Sequence, residues 1–165
     1  MKPAPRGFTL VEMLVVVLII GILAGTVVLG FSGRDREQKL QTEAQRLAVL
    51  IEMARAQAIA RNEEWGLAIG TSAYRFFVFE PRRGRWSEQT AAPFIAREVT
   101  DMTLNVHVDA LTIPGAKDAK DTPSIIFFSS GEQTPFEVEI TPAWQAQPWQ
   151  VTSDGLARTR AERRA

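Results

Sequence analysis

Gly7-Phe8-Thr9-Leu10-Val11-Glu12-Met13-Leu14-Val15-Val16-Val17-Leu18-Ile19-Ile20-Gly21-Ile22-Leu23-Ala24-Gly25 is the stretch whose reading decides the fold. From Phe8 to Phe31 the chain is apolar or small nearly throughout, and at about 1.5 Å per helical residue it is long enough to cross a hydrocarbon core roughly 30 Å thick. Glu12 is the one charged residue inside it. An acid a turn inside a lipid-facing helix is costly and by default functional, with a partner to be named. Two readings of the residues stay open. The carboxylate faces a positive group, which offsets desolvation only where the geometry is good, or it reaches back towards the headgroups near the helix start. Ahead of it, Met1 to Gly7 carries Lys2 and Arg6. The apolar part is longer than the 7 to 15 residues usual in a cleaved secretory signal, so retention in the membrane is expected. The basic residues put the short end in the cytoplasm and Arg34 onwards on the far side.

Helical character continues past the span. Leu40, Ala44, Leu47, Ile51, Ala54 and Ala58 recur at steps of four and three, with Glu37, Lys39, Gln41, Glu43, Arg46, Glu52 and Arg55 between them, the pattern of one amphipathic face. No proline interrupts the segment, and Gly30 and Gly33 mark the cheapest place for a bend. The spacing predicts one helix from about Phe8 to Asn62, roughly 80 Å long by the same rise, whose second half packs on a C-terminal domain. A free coiled coil has too few heptads to compete.

Everything after Glu64 reads as strands. Trp65 to Ile69 and Tyr74 to Phe79 flank Gly70-Thr71-Ser72-Ala73, a hairpin. The turn Pro81-Arg82-Arg83-Gly84-Arg85 leads into Trp86. Leu104, Val106 and Val108 alternate with Thr103, Asn105, His107 and Asp109, a half-buried antiparallel strand with His107 on the polar side. Ile125 to Phe128 is a continuous apolar run; Phe136, Val138 and Ile140 alternate with Glu137, Glu139 and Thr141. Trp149 and Val151 lead to Asp154-Gly155, a hairpin signal from which Leu156 to Arg158 is expected to return. Seven or so short strands beside one helix make an α+β domain of antiparallel sheets.

Composition narrows the function classes. The chain has 165 residues, enough beyond the apolar segment for one small domain. Its 19 basic residues balance its 19 acidic ones, so net charge points neither to nucleic acid nor to an acidic substrate. Cysteine is absent, which excludes disulfides, thiolate metal sites and a cysteine nucleophile. Ser129-Ser130-Gly131 is not a nucleophile elbow, and a serine triad would have to recruit His107, the only histidine. The serines read as loop formers bonded to their own backbone. Lys117-Asp118-Ala119-Lys120-Asp121 lacks the acid spacing and glycine of a calcium loop. Leu111 to Pro123 is long for a structureless connection, so it is either mobile or ordered by a partner. No glycine-rich phosphate loop is present, and no catalytic residue, cofactor or metal is expected.

The basic leader followed by Phe8-Thr9-Leu10-Val11-Glu12 and a long apolar helix resembles the class III signal of type IV pilins and type II secretion pseudopilins. Further on, Phe127-Phe128-Ser129-Ser130-Gly131-Glu132-Gln133-Thr134-Pro135-Phe136, a tryptophan, and Asp154-Gly155-Leu156 look like the GspH type of minor pseudopilin, whose domain the FimT and FimU kind of minor pilin shares. This resemblance implies a pilin-like fold with two antiparallel sheets on the helix's second half. It implies residues 1–7 as a leader, 8–31 as the membrane part of the helix, 32–62 as its periplasmic half and 63–165 as the β-rich domain. A prepilin peptidase would cut between Gly7 and Phe8 and methylate the Phe8 amine, and Glu12 would meet the amine of a neighbouring subunit. The implied setting is the inner membrane and periplasm, with an assembly platform, a major pseudopilin of the G type and minor ones of the I, J and K types as partners. The implied work is export of folded proteins across the outer membrane from a place at or near the pseudopilus tip.

The Arg-rich turn and the basic tail from Arg158 through Arg164 fall outside that pattern. Arg82, Arg83 and Arg85 beside Trp86 support a second reading, a DNA-binding minor pilin of the competence kind in which cations follow the backbone and an aromatic stacks on a base. A membrane-tethered enzyme is a third, and mutation of His107 without loss of activity would dispose of it.

Overall fold

The computed structural model describes residues 9–108 and 122–164; the side chains of residues 24–34 are outside the description. Gly7, Phe8 and the segment 109–121, with its lysine-aspartate run, therefore lie outside the described residues.

Helix α1 runs Leu10–Arg61. Thr9 caps it, its hydroxyl and carbonyl both accepting from the Glu12 amide at 3.3 and 3.1 Å. Thr9-Leu10-Val11-Glu12 is thus a capping-box sequence, with the acid three residues after the cap, where the helix dipole favours negative charge. At the other end Asn62 takes a left-handed conformation (φ 54°). The Glu63 amide donates to the Ala58 carbonyl at 3.1 Å and the Asn62 amide to that of Ile59 at 3.3 Å, closing a Schellman motif. Backbone contacts divide the chain into a unit ending at Lys39 and a second unit, Leu40–Ala165. Among the described residues no helix is long and apolar enough to cross a membrane.

The second unit holds nine strands among its described residues: β1 (Trp65–Ile69), β2 (Ala73–Glu80), β3 (Arg85–Glu88), β4 (Arg97–Glu98), β5 (Met102–Val108), β6 (Ile125–Phe127), β7 (Phe136–Pro142), β8 (Trp149–Ser153) and β9 (Arg160–Arg163). One sheet has the order β3-β2-β1-β6 with β4 also on β2, the other β5-β7-β8-β9, and every pairing is antiparallel. The core is one cluster that takes Leu40, Leu47, Ile51 and Ala58 from α1, Trp65, Phe76 and Phe127 from the first sheet, and Leu104, Val138, Ile140 and Val151 from the second. All six helix positions expected to face inward have no exposed surface. Along β7 burial alternates residue by residue, as its sequence requires.

Two expectations need correcting. Strands among the described residues number nine where seven or so were expected, and β4, only two residues long, carries no periodic signal. The chain after Asp154-Gly155 returns as Arg160–Arg163, not Leu156 to Arg158. The reason is local. The Asp154 carboxylate accepts from the Leu156 and Ala157 amides at 2.9 and 2.8 Å, which spends those residues in a turn, and these bonds hold the Asp154 pKa below its ordinary value. The basic tail is therefore an edge strand, and Arg164 reaches Glu139 at 2.6 Å.

Candidate functional site

In the first unit the described part of α1 presents apolar side chains to the outside. Leu10 is 82% exposed, Val17 65% and Leu23 60%. Glu12 lies exposed among them in the first turn, its backbone held by Thr9. A helix apolar all round needs a cover, whether lipid or other helices.

In the second unit the polar residues of α1 do more than face water. Glu43 is buried, and its two carboxylate oxygens accept from Arg97 Nε at 2.9 Å and Nη2 at 2.7 Å, with Tyr74 Oη donating at 3.0 Å. Burial pushes the Glu43 carboxyl up, but the bonds from Arg97 and Tyr74 outweigh it and its pKa lies below the ordinary value. Burial and the adjacent carboxylate push the Tyr74 hydroxyl up; the bond to Glu43 pushes Arg97 up. This triad pins β4, and with it the segment carrying Phe94, whose ring meets Trp65 at 4.8 Å and Phe76 at 5.2 Å. Sequence reasoning placed Glu43 on the solvent side. Its neighbours at Gln41 and Arg46 are exposed, and nothing local marks it as different.

Glu52 and Arg55, also expected on the solvent side, bind the loops at one end of the sheets. Glu52 accepts from the Thr159 amide at 2.9 Å. Arg55 donates to the carbonyls of Gly131 (2.6 Å), Ala157 (3.2 Å) and Leu156 (2.8 Å). The loop from Ser129 to Pro135 is fixed from several sides. Ser129 donates its amide and hydroxyl to Glu64 at 3.2 and 3.0 Å, a correction to the expectation that it bonds its own backbone. The Thr134 hydroxyl accepts from the Ile126 amide at 3.1 Å, and the Gln133 amide donates to the Gly155 carbonyl at 2.9 Å. Gly155 has φ +95°, and a Cβ there would sit 2.7 Å from the Gln133 oxygen, so glycine alone fits. The two C-terminal sequence segments that suggested a family therefore meet in space.

The Arg-rich turn closes the β2–β3 hairpin, with Gly84 at φ +59°. Arg82, Arg83 and Arg85 are exposed, and Arg83 pairs with Glu80 at 3.0 Å. Arg82 and Arg83 edge an open cleft of about 810 Å³ whose other wall includes Glu63 and Glu64. Trp86 is not with them. Its ring packs on Phe79 at 5.2 Å and lies over Gly66, where an added Cβ would come within 3.0 Å of it. The four residues therefore do not form a cationic stripe with a free stacking ring. His107 is exposed on β5, opposite Glu137 in the strand register, whereas Ser129 donates to Glu64.

Comparison with known proteins places these features. The profile of the Prokaryotic N-terminal methylation motif matches residues 3–28, and that of Type II transport protein GspH matches residues 43–157. A type II secretion system protein H from Pseudomonas aeruginosa is 33% identical over 168 residues, covering 96% of this chain and 96% of the relative. One from Klebsiella pneumoniae is 28% identical, over 84% of this chain and 87% of the relative. Among solved structures, the minor pseudopilin EpsH from the type 2 secretion system of Vibrio cholerae superimposes with a TM-score of 0.61 at 22% identity, over 75% of this chain and 95% of that one. Escherichia coli GspH gives a TM-score of 0.59 at 17% identity, over 79% and 94%. The helix cap, the two-sheet domain and the sequence matches converge: the chain belongs to the GspH family, the H-type minor pseudopilins of type II secretion.

Proposed function

We propose that this chain is held in the inner membrane by residues 8–31 with its N-terminus cytoplasmic and its β domain periplasmic. Prepilin peptidase cuts it between Gly7 and Phe8 and methylates Phe8. It then leaves the lipid for a pseudopilus, at or near the tip, where it meets minor pseudopilins of the I, J and K types and the major G type. The cytoplasmic motor does the work, and the subunit transmits it to export of folded proteins across the outer membrane. The observation that carries this reading is the exposed first turn of α1, a single acid among uncovered apolar side chains within the residues that the methylation motif matches. In lipid such a carboxylate is a cost; opposite the N-terminal amine of a neighbour it becomes the contact that sets register. Leader, helix and domain keep the limits 1–7, 8–31, 32–62 and 63–165. DNA binding through Arg82, Arg83 and Arg85 is not favoured, because Trp86 is committed to Phe79.

The test separates processing from assembly. Glu12→Ala is expected to be cut and methylated normally but to drop out of sheared or cross-linked pseudopilus fractions, while Gly7→Val stays at precursor length. Normal incorporation of the Glu12 variant would remove the acid from the mechanism. A mature-length product from the Gly7 variant would move the cleavage site.

A further inference from the structure

Two segments of the second unit, far apart in sequence, carry almost none of its core. None of the described residues 128–135 and 152–164 belongs to the buried hydrophobic cluster, and Ala161 packs only at its margin. The buried side chains of the first segment, Gln133 and Thr134, are polar. Hydrogen bonds join the segments to each other: the Gln133 amide donates to the Gly155 carbonyl and its side-chain amide to the Ser153 hydroxyl. Others join them to α1, where Arg55 grips the carbonyls of Gly131, Leu156 and Ala157 and Glu52 accepts from the Thr159 amide. Gln133 Oε1 is buried with no hydrogen-bond partner among the described residues, so opening hydrates an acceptor that closure leaves dry. Segments tied by polar contacts, with little apolar burial behind them, are the ones that open ahead of a core.

Opening changes the edge of the second sheet. β9 is the outer strand beside β8, and three of its four residues are exposed. The Arg164–Glu139 pair beside it is open to water, the arginine side chain being 49% exposed, so screening weakens that tie. The Arg164 amide donates to the Pro148 carbonyl. Backbone direction alternates along a strand, so Gln150 and Thr152 turn their polar groups to Glu162 and Arg160 of β9, whereas Val151 turns its own to Val138 of β7. We infer that β9, the turn before it and the 129–135 loop form one cap, latched to α1 by Arg55 and Glu52, that opens as a unit and bares the β8 edge at Gln150 and Thr152 while the core stays folded. Arg55 couples the two segments because one guanidinium grips both. A bared strand edge is a template for pairing, so the latch sets whether the sheet ends in β9 or in β8. The device belongs to the second unit alone and does not depend on the reading of the chain as a membrane-held subunit.

Residue-resolved hydrogen exchange on the detergent-solubilised full chain at neutral pH tests this. In the parent chain, protection at Gln133, Gln150 and Glu162 is expected to be weaker than at Val138 and Val151 by about 100-fold or more, so that neighbours within β8 differ as their backbone directions do. Glu52→Ala removes a contact to the turn at Thr159 and none to the 129–135 loop among the described residues. It should nevertheless weaken protection at all three positions by one common factor, about fivefold or more, with Val138 and Val151 unchanged. Arg55→Ala should do the same. Core-like protection at Glu162 and Gln150, or equal protection at Gln150 and Val151, overturns the proposal, since β9 then leaves only when the whole unit unfolds. A Glu52→Ala chain loosened at Glu162 but not at Gln133 overturns the single cap, and a loss of protection at every amide overturns the latch by making Glu52 a general stabiliser. If Arg55→Ala fails to fold, the contrast between Gln150 and Val151 in the parent chain and the Glu52→Ala result still decide.

Discussion

Arg97→Ala tests the buried triad directly. The substitution removes two charge-assisted hydrogen bonds, at 2.9 and 2.7 Å, and leaves Glu43, whose side chain is 9% exposed, with only the Tyr74 hydroxyl at 3.0 Å. Stripping one partner from a buried ion pair costs about 3–5 kcal/mol. The Arg97 side chain is itself 39% exposed, so solvent screens part of that attraction and a loss of about 2–3 kcal/mol is expected. The pH dependence fixes the mechanism. In the parent chain the folded pKa of Glu43 is depressed, so its contribution is present above the unfolded value of 4.5 and is lost as pH falls through the folded one. In the variant, burial, the largest single influence, is opposed only by the Tyr74 bond and the Arg46 charge, and the folded pKa is expected to rise above the unfolded one. The carboxylate then costs stability at neutral pH, and that cost vanishes as pH drops below the unfolded value. The gap between the two chains should therefore be widest near pH 7 and narrow towards pH 4. Urea unfolding of the detergent-solubilised full chain, followed by tryptophan fluorescence, reads it, because Trp65 is 2% exposed and touches Phe94 on the segment that Arg97 anchors. Joint Glu43→Met and Arg97→Met should recover most of the loss, since an apolar pair leaves no orphaned charge. A cost below about 0.5 kcal/mol, or one that stays constant between pH 7 and pH 4, would refute the assignment of Glu43 as a buried, ionised anchor.

Arg55→Ala should cost about 1–2 kcal/mol and speed amide exchange at Gln133, which bonds Gly155. Arg55→Lys should not rescue it, because one ammonium cannot span the three carbonyls of two loops. Gly155→Ala and Gly84→Ala form a matched pair, as both positions have positive φ but only Gly155 has an atom, the Gln133 oxygen, within 2.7 Å of the new Cβ. Gly84→Ala should lose about 1 kcal/mol and Gly155→Ala more than about 2 kcal/mol in the same unfolding measurement; equal losses would mean that the turn yields freely.

The sequence alone determined the helix, its inward face, its end at Asn62, the first hairpin, the alternation of β5 and β7 and the family. Each of these is written in near neighbours: steps of four and three, steps of two, an apolar run after a basic leader. Periodicity reports the direction in which a side chain points, and direction was enough for all six buried helix positions. What it cannot report is which distant residue arrives there. Glu43 shares its composition with the solvated acids around it, and its role depends on Arg97, 54 residues away. Arg55 is a helix-face cation until Gly131, 76 residues on, and Leu156, 101 residues on, present their carbonyls. Trp86 looked available for stacking beside its arginines until Phe79 and the bare backbone of Gly66 took its ring. The basic tail became β9 because β8 offered it an edge and Asp154 used up the residues between. A buried charge or an occupied ring is a property of a pair, and the members of these pairs meet only when α1 and the two sheets close on one core.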